Sequence, residues 1–543
     1  MATQRTGYVI TYDVGTTGMK TCLFGLYHRL QLIASAMCPY NLYLLDDGGV
    51  EQDPEEWWQA MRTTTQQILR ETGFDPKQIS GVSFCSQMQG LVLVDENGDP
   101  LRRAMSYMDQ RAKQELHDGL CRGLTVSGAN LRKLVTSIAI TGAVALSVKD
   151  PVWKYHWVKN HEPEIFSKVH KWLDVKDYLI SRLTGSFVTT EDSAFATMLY
   201  DIRAGKRGWS KTICAMLGVD MRHLAPVVRS IDQVGAITSK AAAFLGLSPG
   251  TAVFGGGGDA AITGLGAGAT RPGSSYVYMG TSGWVSTVVD HSIVDPATMT
   301  AAIVSSIPGY FNYFSELETA GKCLEWVRDH LALDEINIYL KKTRIDDSEE
   351  ANRTNLYDYM STVIKDVPAG SHGVVFTPWL RGNRCPFEDP DVRGMFFNIS
   401  LDTGKTDLIR AVTEGVCLHI RWFFEVQEKK MRTSSTIRFV GGGALSDVTC
   451  QILADCLGRK VETIDSPQNV GATSAAVVVG LGLGLVPSVE SATDWVPASK
   501  TFLPNAANKA VYDRNFWVFK QLYTANRKNY HILNDTACTS WKS

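Results

Sequence analysis

A strand–turn–strand unit with a glycine–threonine tip occurs twice in this chain, near the start and again past the middle. Residues 8–14 and 21–27 are β-rich. Between them lies Gly15-Thr16-Thr17-Gly18-Met19-Lys20, with Asp13 at the end of the first strand. Residues 275–279 and 284–289 form a second pair of strands around Gly280-Thr281-Ser282-Gly283. A repeated supersecondary unit points to a duplicated fold, with one hairpin in each half. Each tip offers backbone N–H groups and hydroxyls, and the first adds the Lys20 ammonium. These are phosphate-binding materials, and two such tips facing one cleft could hold a polyphosphate from both sides. Either turn alone is equally well a plain hairpin.

The 543 residues suit two large domains. The Pro/Gly-bearing stretch 246–251 reads as the connector. This gives an N-terminal domain at 1–250, a C-terminal domain at 251–500 and a tail at 501–543 with a helical stretch. Residues 112–245 read mostly as helix. Asp53-Pro54-Glu55-Glu56 is a helix start, with Asp53 at the N-cap, Pro54 at the first position and Glu56 in the reciprocal capping role.

Hydrophobic residues are 44% and charged residues 20%, an ordinary globular composition. The net charge of -2 supplies no field for nucleic acid or anionic lipid. The 11 cysteines contain no CxxC pair and read as reduced thiols of a cytoplasmic protein. The N-terminus shows no cleavable apolar core. The apolar stretch 470–486 carries several glycines, and it reads as a buried helix rather than a membrane span.

Residues 251–269 carry the sharpest chemical signal. A short apolar strand, 252–254, runs into four glycines, and then comes one carboxylate, Asp259. A carboxylate opening a helix beside a cleft suits a general base; a glycine hinge whose acid caps the helix is the alternative. A second glycine-rich strand-to-helix turn, Gly441-Gly442-Gly443-Ala444, could let a flat base or ribose lie against the backbone. Tyr107-Met108-Asp109-Gln110-Arg111 packs an aromatic, an acid and an arginine in a way that suits a polyol, although a surface ion pair is the commoner fate of Asp-x-Arg.

Other signatures fail. No GxxxxGK[ST] is present, and Thr403-Gly404-Lys405-Thr406 lacks its upstream glycine. Gly264-Leu265-Gly266-Ala267-Gly268-Ala269 matches a dinucleotide fingerprint but lacks the downstream acid. No HExxH or paired-cysteine pattern supports a structural metal.

As an ordered set, these motifs resemble the FGGY family of carbohydrate kinases, and most closely its xylulokinase branch. Asp13 to Lys20 is similar to the family's first phosphate motif, and Asp109-Gln110-Arg111 to its W-x-D-x-R sugar segment. Gly256-Gly257-Gly258-Asp259 resembles the catalytic motif. Gly280-Thr281-Ser282 resembles the second phosphate motif, and Gly441 to Ser446 the adenosine motif. Lys154-Tyr155-His156-Trp157 adds support.

The resemblance implies an α/β fold of two ribonuclease H-like, actin-like ATPase domains, with ATP and sugar in the cleft between. ATP would lie on Gly441, Gly442, Gly443 and Ala444, with its phosphates between Gly15, Thr16, Thr17 and Lys20 on one side and Gly280, Thr281 and Ser282 on the other. Asp13 and Asp259 would serve Mg²⁺, and Asp259 would accept the proton of the attacking hydroxyl. Met88, Gln89, Asp109 and Arg111 would line the sugar side with Asp259. The expected reaction is ATP-dependent phosphorylation of a ketopentose such as xylulose.

Three sugar-facing positions depart from the xylulokinase pattern. Gln89 stands for histidine, Tyr107 for tryptophan, and Ala260 for the asparagine found in several members. Ribulose, fuculose, erythritol and glycerol therefore stay open as acceptors. An actin-like ATPase without a sugar, and a retired sugar sensor, are the readings from other classes. The intact Asp13, Asp259 and Lys20 argue against the sensor. The expected partner is a small-molecule sugar or polyol, with no nucleic acid and no membrane; a homodimer stays open.

Overall fold

The computed structural model describes residues 7–126, 128–295, 297–298, 300–331 and 362–534. The first six residues of the N-terminus and residues 535–543 of the expected tail lie outside them.

The first hairpin pairs β1 (Gly7–Val14) with β2 (Gly18–Leu26), placing Asp13 opposite Lys20. β3 (Leu30–Pro39) extends this antiparallel meander. Helix α1 (Pro54–Thr72) then begins as its chemistry dictates: Asp53 accepts the Glu55 N–H, and Pro54 sits where a missing N–H costs nothing. Glu56 does not complete a capping box. Its carboxylate accepts from Asn41 and the Tyr43 hydroxyl instead. β4 (Ile79–Ser86) runs parallel to β1 on its other flank.

The stretch expected to be mostly helix does contain α2 (Pro151–His161) and α3 (Val175–Thr184). It also holds two-residue strand pairs, Thr189–Thr190 with Val227–Val228 and Tyr200–Asp201 with Gly208–Trp209. β5 (Gln233–Ala236), β6 (Ala252–Phe254) and the short β7 (Gly257–Gly258) complete the first sheet. Its order is β5-β6-β4-β1-β2-β3, with β7 continuing beside β4.

The second sheet repeats this plan. After α4 (Asp259–Gly266) come β8 (Ser275–Met279), β9 (Gly283–Val289), β10 (Val294–Asp295), β11 (Thr300–Val304) and β12 (Phe311–Leu317). Helices α5 (Gly321–His330) and α6 (Lys405–Gln427) precede β13 (Thr436–Val440), α7 (Asp447–Leu457) and β14 (Lys460–Thr463). The buried α8 (Val470–Gly482), edge strand β15 (Lys500–Phe502) and α9 (Lys509–Asn534) close the chain. The order is β10-β11-β12-β9-β8-β13-β14-β15. In each sheet an antiparallel hairpin is extended on one side and flanked by parallel strands on the other, which is the duplication the two tips predict.

Strand pairing runs through the stretches around residues 250 and 500. The connector 246–251 follows a short helix capped by left-handed Gly246 and leads into β6, a strand of the first sheet. It joins β5 and β6, two antiparallel neighbours of that sheet, which extends past residue 250 to β7. The stretch after residue 500 carries the expected helix, α9. Lys500–Phe502 pairs with β14, and α9 buries Tyr512, Phe516, Phe519 and Leu522 in the second core.

The apolar run beginning at Val470 is α8, whose residues Val470–Gly480 are all buried. It packs on β1, β4 and α4, so it joins the two halves. Among the described residues no helix is long and apolar enough to cross a membrane.

Candidate active site

Parallel strands that end together deliver their C-terminal residues to one edge, where α/β sheets place ligands. In the first sheet Asp13 is level with Cys85, and Cys85 with Gly257. With strands spaced about 4.8 Å apart, the Asp13 and Gly257 backbones lie about 10 Å apart. Asp259 follows two residues later, as the first residue of α4. Both acids therefore share one edge.

The first tip is held rigidly. Gly15 N–H donates to Gly18 O at 2.9 Å, and Tyr40 N–H to Thr17 O at 3.1 Å. The Tyr40 hydroxyl donates to Gly15 O, and Gln52 Nε2 to Thr16 O at 2.6 Å. Lys20 reaches across to Asn469 Oδ1 at 2.9 Å, tying the tip to the loop before α8. Burial raises the Asp13 carboxyl above its ordinary value, against the pull of Lys20 and a hydrogen bond with the Cys85 thiol.

Asp259 is perturbed in the same direction. Burial pushes it up to about 7, and the nearby carboxylates of Asp13, Glu316 and Asp174 push the same way. Opposing them is the Ala260 N–H, which donates to Oδ1 at 2.8 Å. A carboxyl poised near neutrality in a cleft is suited to taking up a proton. The turn before it is fixed by a residue with no signal in the sequence. Asp192, fully buried, accepts the Gly258 N–H at 2.7 Å. The Asn312 amide of β12 donates to Ala260 O and Ala261 O at 3.1 and 3.0 Å, pinning α4 to the second sheet.

The second tip mirrors the first. Gly280 N–H donates to Ser282 O at 2.9 Å, and the start of α5 closes on it through Gly321 N–H to Gly280 O, also at 2.9 Å. Next to it β13 ends at Gly441, whose φ of 90° is left-handed space. A Cβ there would sit 2.5 Å from Met279 O, a backbone atom that no rotamer change can move. Gly442–Leu445 then forms a single 3₁₀ turn, capped into α7 by Ser446. Gly441→Ala should raise the Kd for ATP by on the order of tenfold, measured by isothermal titration. An unchanged Kd would remove this turn from the nucleotide site.

The residues expected on the sugar side divide. Met88 packs directly on Gly258, where a Cβ would lie 2.0 Å from Met88 Cγ, so it belongs beside Asp259. Gln89 is half-buried with φ of 61°, unusual for a side-chain-bearing residue. Tyr107 is 37% exposed, and its hydroxyl meets Thr16 Oγ1 at 3.3 Å, linking the sugar segment to the first tip. Asp109 and Arg111 are paired with each other. Asp109 is fully buried and accepts from Val50 N–H at 2.9 Å and Arg111 Nη2 at 2.7 Å. Arg111 also pairs with Glu51 at 2.6 Å and lies 4.3 Å over the Trp157 ring. Adjacency in sequence suggested a polyol grip. The turn instead folds the two side chains onto each other, and they brace the segment that carries Tyr107.

Asp13 and Asp259 offer hard oxygen donors whose burial leaves their charge under-compensated, which fits a divalent cation. Among the described residues no third acid or imidazole gathers with them. Mg²⁺ does not need one, since it is commonly held by one or two carboxylates together with phosphates and water.

Models of the FGGY family of carbohydrate kinases match this chain, the N-terminal domain over residues 8–266 and the C-terminal domain over 275–480. A xylulose kinase of Lactococcus lactis is 29% identical, covering 97% of this chain and 98% of its own. A gluconokinase of Bacillus licheniformis is 27% identical, with 97% of each chain covered. The crystal structure of a gluconate kinase from Lactobacillus acidophilus superposes with a TM-score of 0.81 at 24% identity, covering 97% of this chain and 99% of that one.

Proposed function

The chain belongs to the FGGY family of carbohydrate kinases, and we propose that its acceptor is a ketopentose such as xylulose, with Asp259 as the general base. It is a sugar kinase with ATP as phosphate donor. The observation that carries the proposal is Asp259 itself. It opens α4 at the cleft edge, shares that edge with Asp13, and is held near neutrality by burial.

In this reading the acceptor hydroxyl lies between Asp259 and the γ-phosphoryl. Asp259 takes its proton as the oxygen attacks. The two tips orient the phosphates through backbone N–H groups and hydroxyls, with Lys20 adding positive charge. Asp13 and Asp259 would hold Mg²⁺, which supplies charge neutralisation at the phosphates. Tyr107, Met88 and Gln89 border the acceptor. Closure of the halves around α8 would exclude water and suppress ATP hydrolysis.

The test is ADP release by the purified protein with D-xylulose, D-ribulose, L-fuculose, erythritol, glycerol and D-gluconate, the last because gluconokinases stand among the relatives. Acceptor-dependent ADP release is expected, with D-xylulose first. A higher kcat/KM for another acceptor would replace the substrate. ADP release equal with and without every acceptor would overturn the phosphotransfer reading.

A further inference from the structure

We propose that Lys154 and Asp174 are positioning residues that clamp the Gln89–Gly90 peptide from both sides and thereby hold the acceptor wall of the cleft in shape. The inference rests on the sugar-kinase reading for its functional consequence.

The clamp is visible in the bonds. Lys154, on α2, is fully buried. Its Nζ donates to Gln89 O at 2.6 Å. Asp174, the N-cap residue of α3, accepts the Gly90 N–H at 3.0 Å and the Val175 N–H at 2.8 Å. One peptide thus has its oxygen held by a cation and its N–H held by an anion. The same Lys154 Nζ donates to Ser106 O at 2.9 Å, the carbonyl just before Tyr107. A single ammonium therefore joins the two loops that present Gln89 and Tyr107.

Two further observations show why a clamp is needed. Gln89 holds a φ of 61°, a conformation that persists in a residue other than glycine only when its surroundings enforce it. Polar bonds hold it here. A small cavity lies behind the loop, lined by Gln89, Gly90, Trp172, Asp174, Ser193 and Trp209. Ser193 Oγ is buried there without a partner in the protein. The peptide is held by these polar bonds together with Val175, which packs against Gly90.

Both charges are strained by burial. Lys154 is lowered to about 8, with Asp109, Asp150 and Asp174 holding it up and Lys149 pressing it down. Asp174 is raised to about 6, with Asp177 adding to the rise and Lys176 opposing it. The amine is charged below its value and the carboxyl above its own, so both are ionised between about pH 6 and about pH 8.

The acceptor for the test is D-xylulose, or the sugar ranked first by the panel. Lys154→Met keeps the length of the side chain and removes the charge. It should raise the KM for acceptor on the order of tenfold and leave the KM for ATP within about twofold. Amide hydrogen exchange should quicken in the peptides carrying Gly90 and Tyr107 and stay slow in β1. Asp174→Asn retains an oxygen for Gly90 and should be milder than Asp174→Ala, which decides the matter if the lysine variant does not fold. Equal rises in both KM values, or unchanged exchange at Gly90, would overturn the clamp. If no acceptor turns over, the sugar-kinase assignment fails on its own panel, and exchange at Gly90 still decides whether the clamp exists.

Discussion

Asp259→Asn lowers kcat on the order of 10³-fold while the Kd for ATP stays within about twofold, the loss expected when a general base is removed. The substitution is nearly isosteric. The asparagine oxygen can still accept the Ala260 N–H that Asp259 Oδ1 accepts now. Gly258 stays pinned by Asp192, and α4 stays tied to Asn312, so the cleft edge keeps its shape. The capacity to take a proton disappears, and with it one of the two negative charges offered to Mg²⁺, so the Kd is compared for ATP without metal. Removing one of several acids that repel one another through the site also relieves the strain from Asp13 and Glu316. The variant should therefore unfold at the same temperature as the wild type or slightly higher. That pairing of lost turnover with retained stability separates a chemical role from a structural one. Turnover within about tenfold of wild type would exclude Asp259 as the base.

The parts of this site that could be read from the sequence are those whose cause is local. A glycine–threonine tip between alternating strands announces itself within a dozen residues, and so do the glycine runs before Asp259 and after Val440. The supports of the site act over distance. Asp192 reaches Gly258 from 66 positions away, Asp174 reaches Gly90 from 84, and Lys154 reaches Gln89 from 65. No spacing rule connects such pairs. Asp109-Gln110-Arg111 shows a limit of another kind. The motif was visible, but orientation decides whether an acid and an arginine face a ligand or each other, and Val50 and Glu51 settle that from outside the motif. The connector at 246–251 carries all the chemistry of a boundary, yet a turn between two strands of one sheet uses the same residues. Gln89 is a special case: nothing in its identity signals a left-handed φ, because the conformation is imposed by the groups around it.

Gly471→Ala should reduce kcat on the order of a hundredfold although Gly471 itself supplies no group to a substrate. Gly471 lies in the first turn of α8, the buried helix that crosses β1 and β4. A Cβ at this position would stand 2.5 Å from Asp13 Oδ2, 2.9 Å from Asp13 Cγ and 2.9 Å from Cys85 Sγ. Ordinary non-bonded contact begins near about 3.5 Å, so the Asp13 carboxylate has to retreat by about 1 Å. A misplacement of that size at a reacting centre can cost about 10²-fold. The backbone itself gains, since alanine is about 1 kcal/mol better than glycine inside a helix. That gain offsets part of the crowding, so the unfolding temperature should move by only a few degrees. Asp13 would also lose its alignment with Lys20, its partner across the hairpin. The KM for MgATP should therefore rise together with the fall in kcat, while the KM for the acceptor stays near its wild-type value. Steady-state kinetics in both substrates, alongside a melting curve, reads all of this at once. A variant that melts normally and turns over normally would show that the position of Asp13 does not matter to the reaction. A variant that melts far lower would show that α8 is held by this contact rather than merely shaped to spare it.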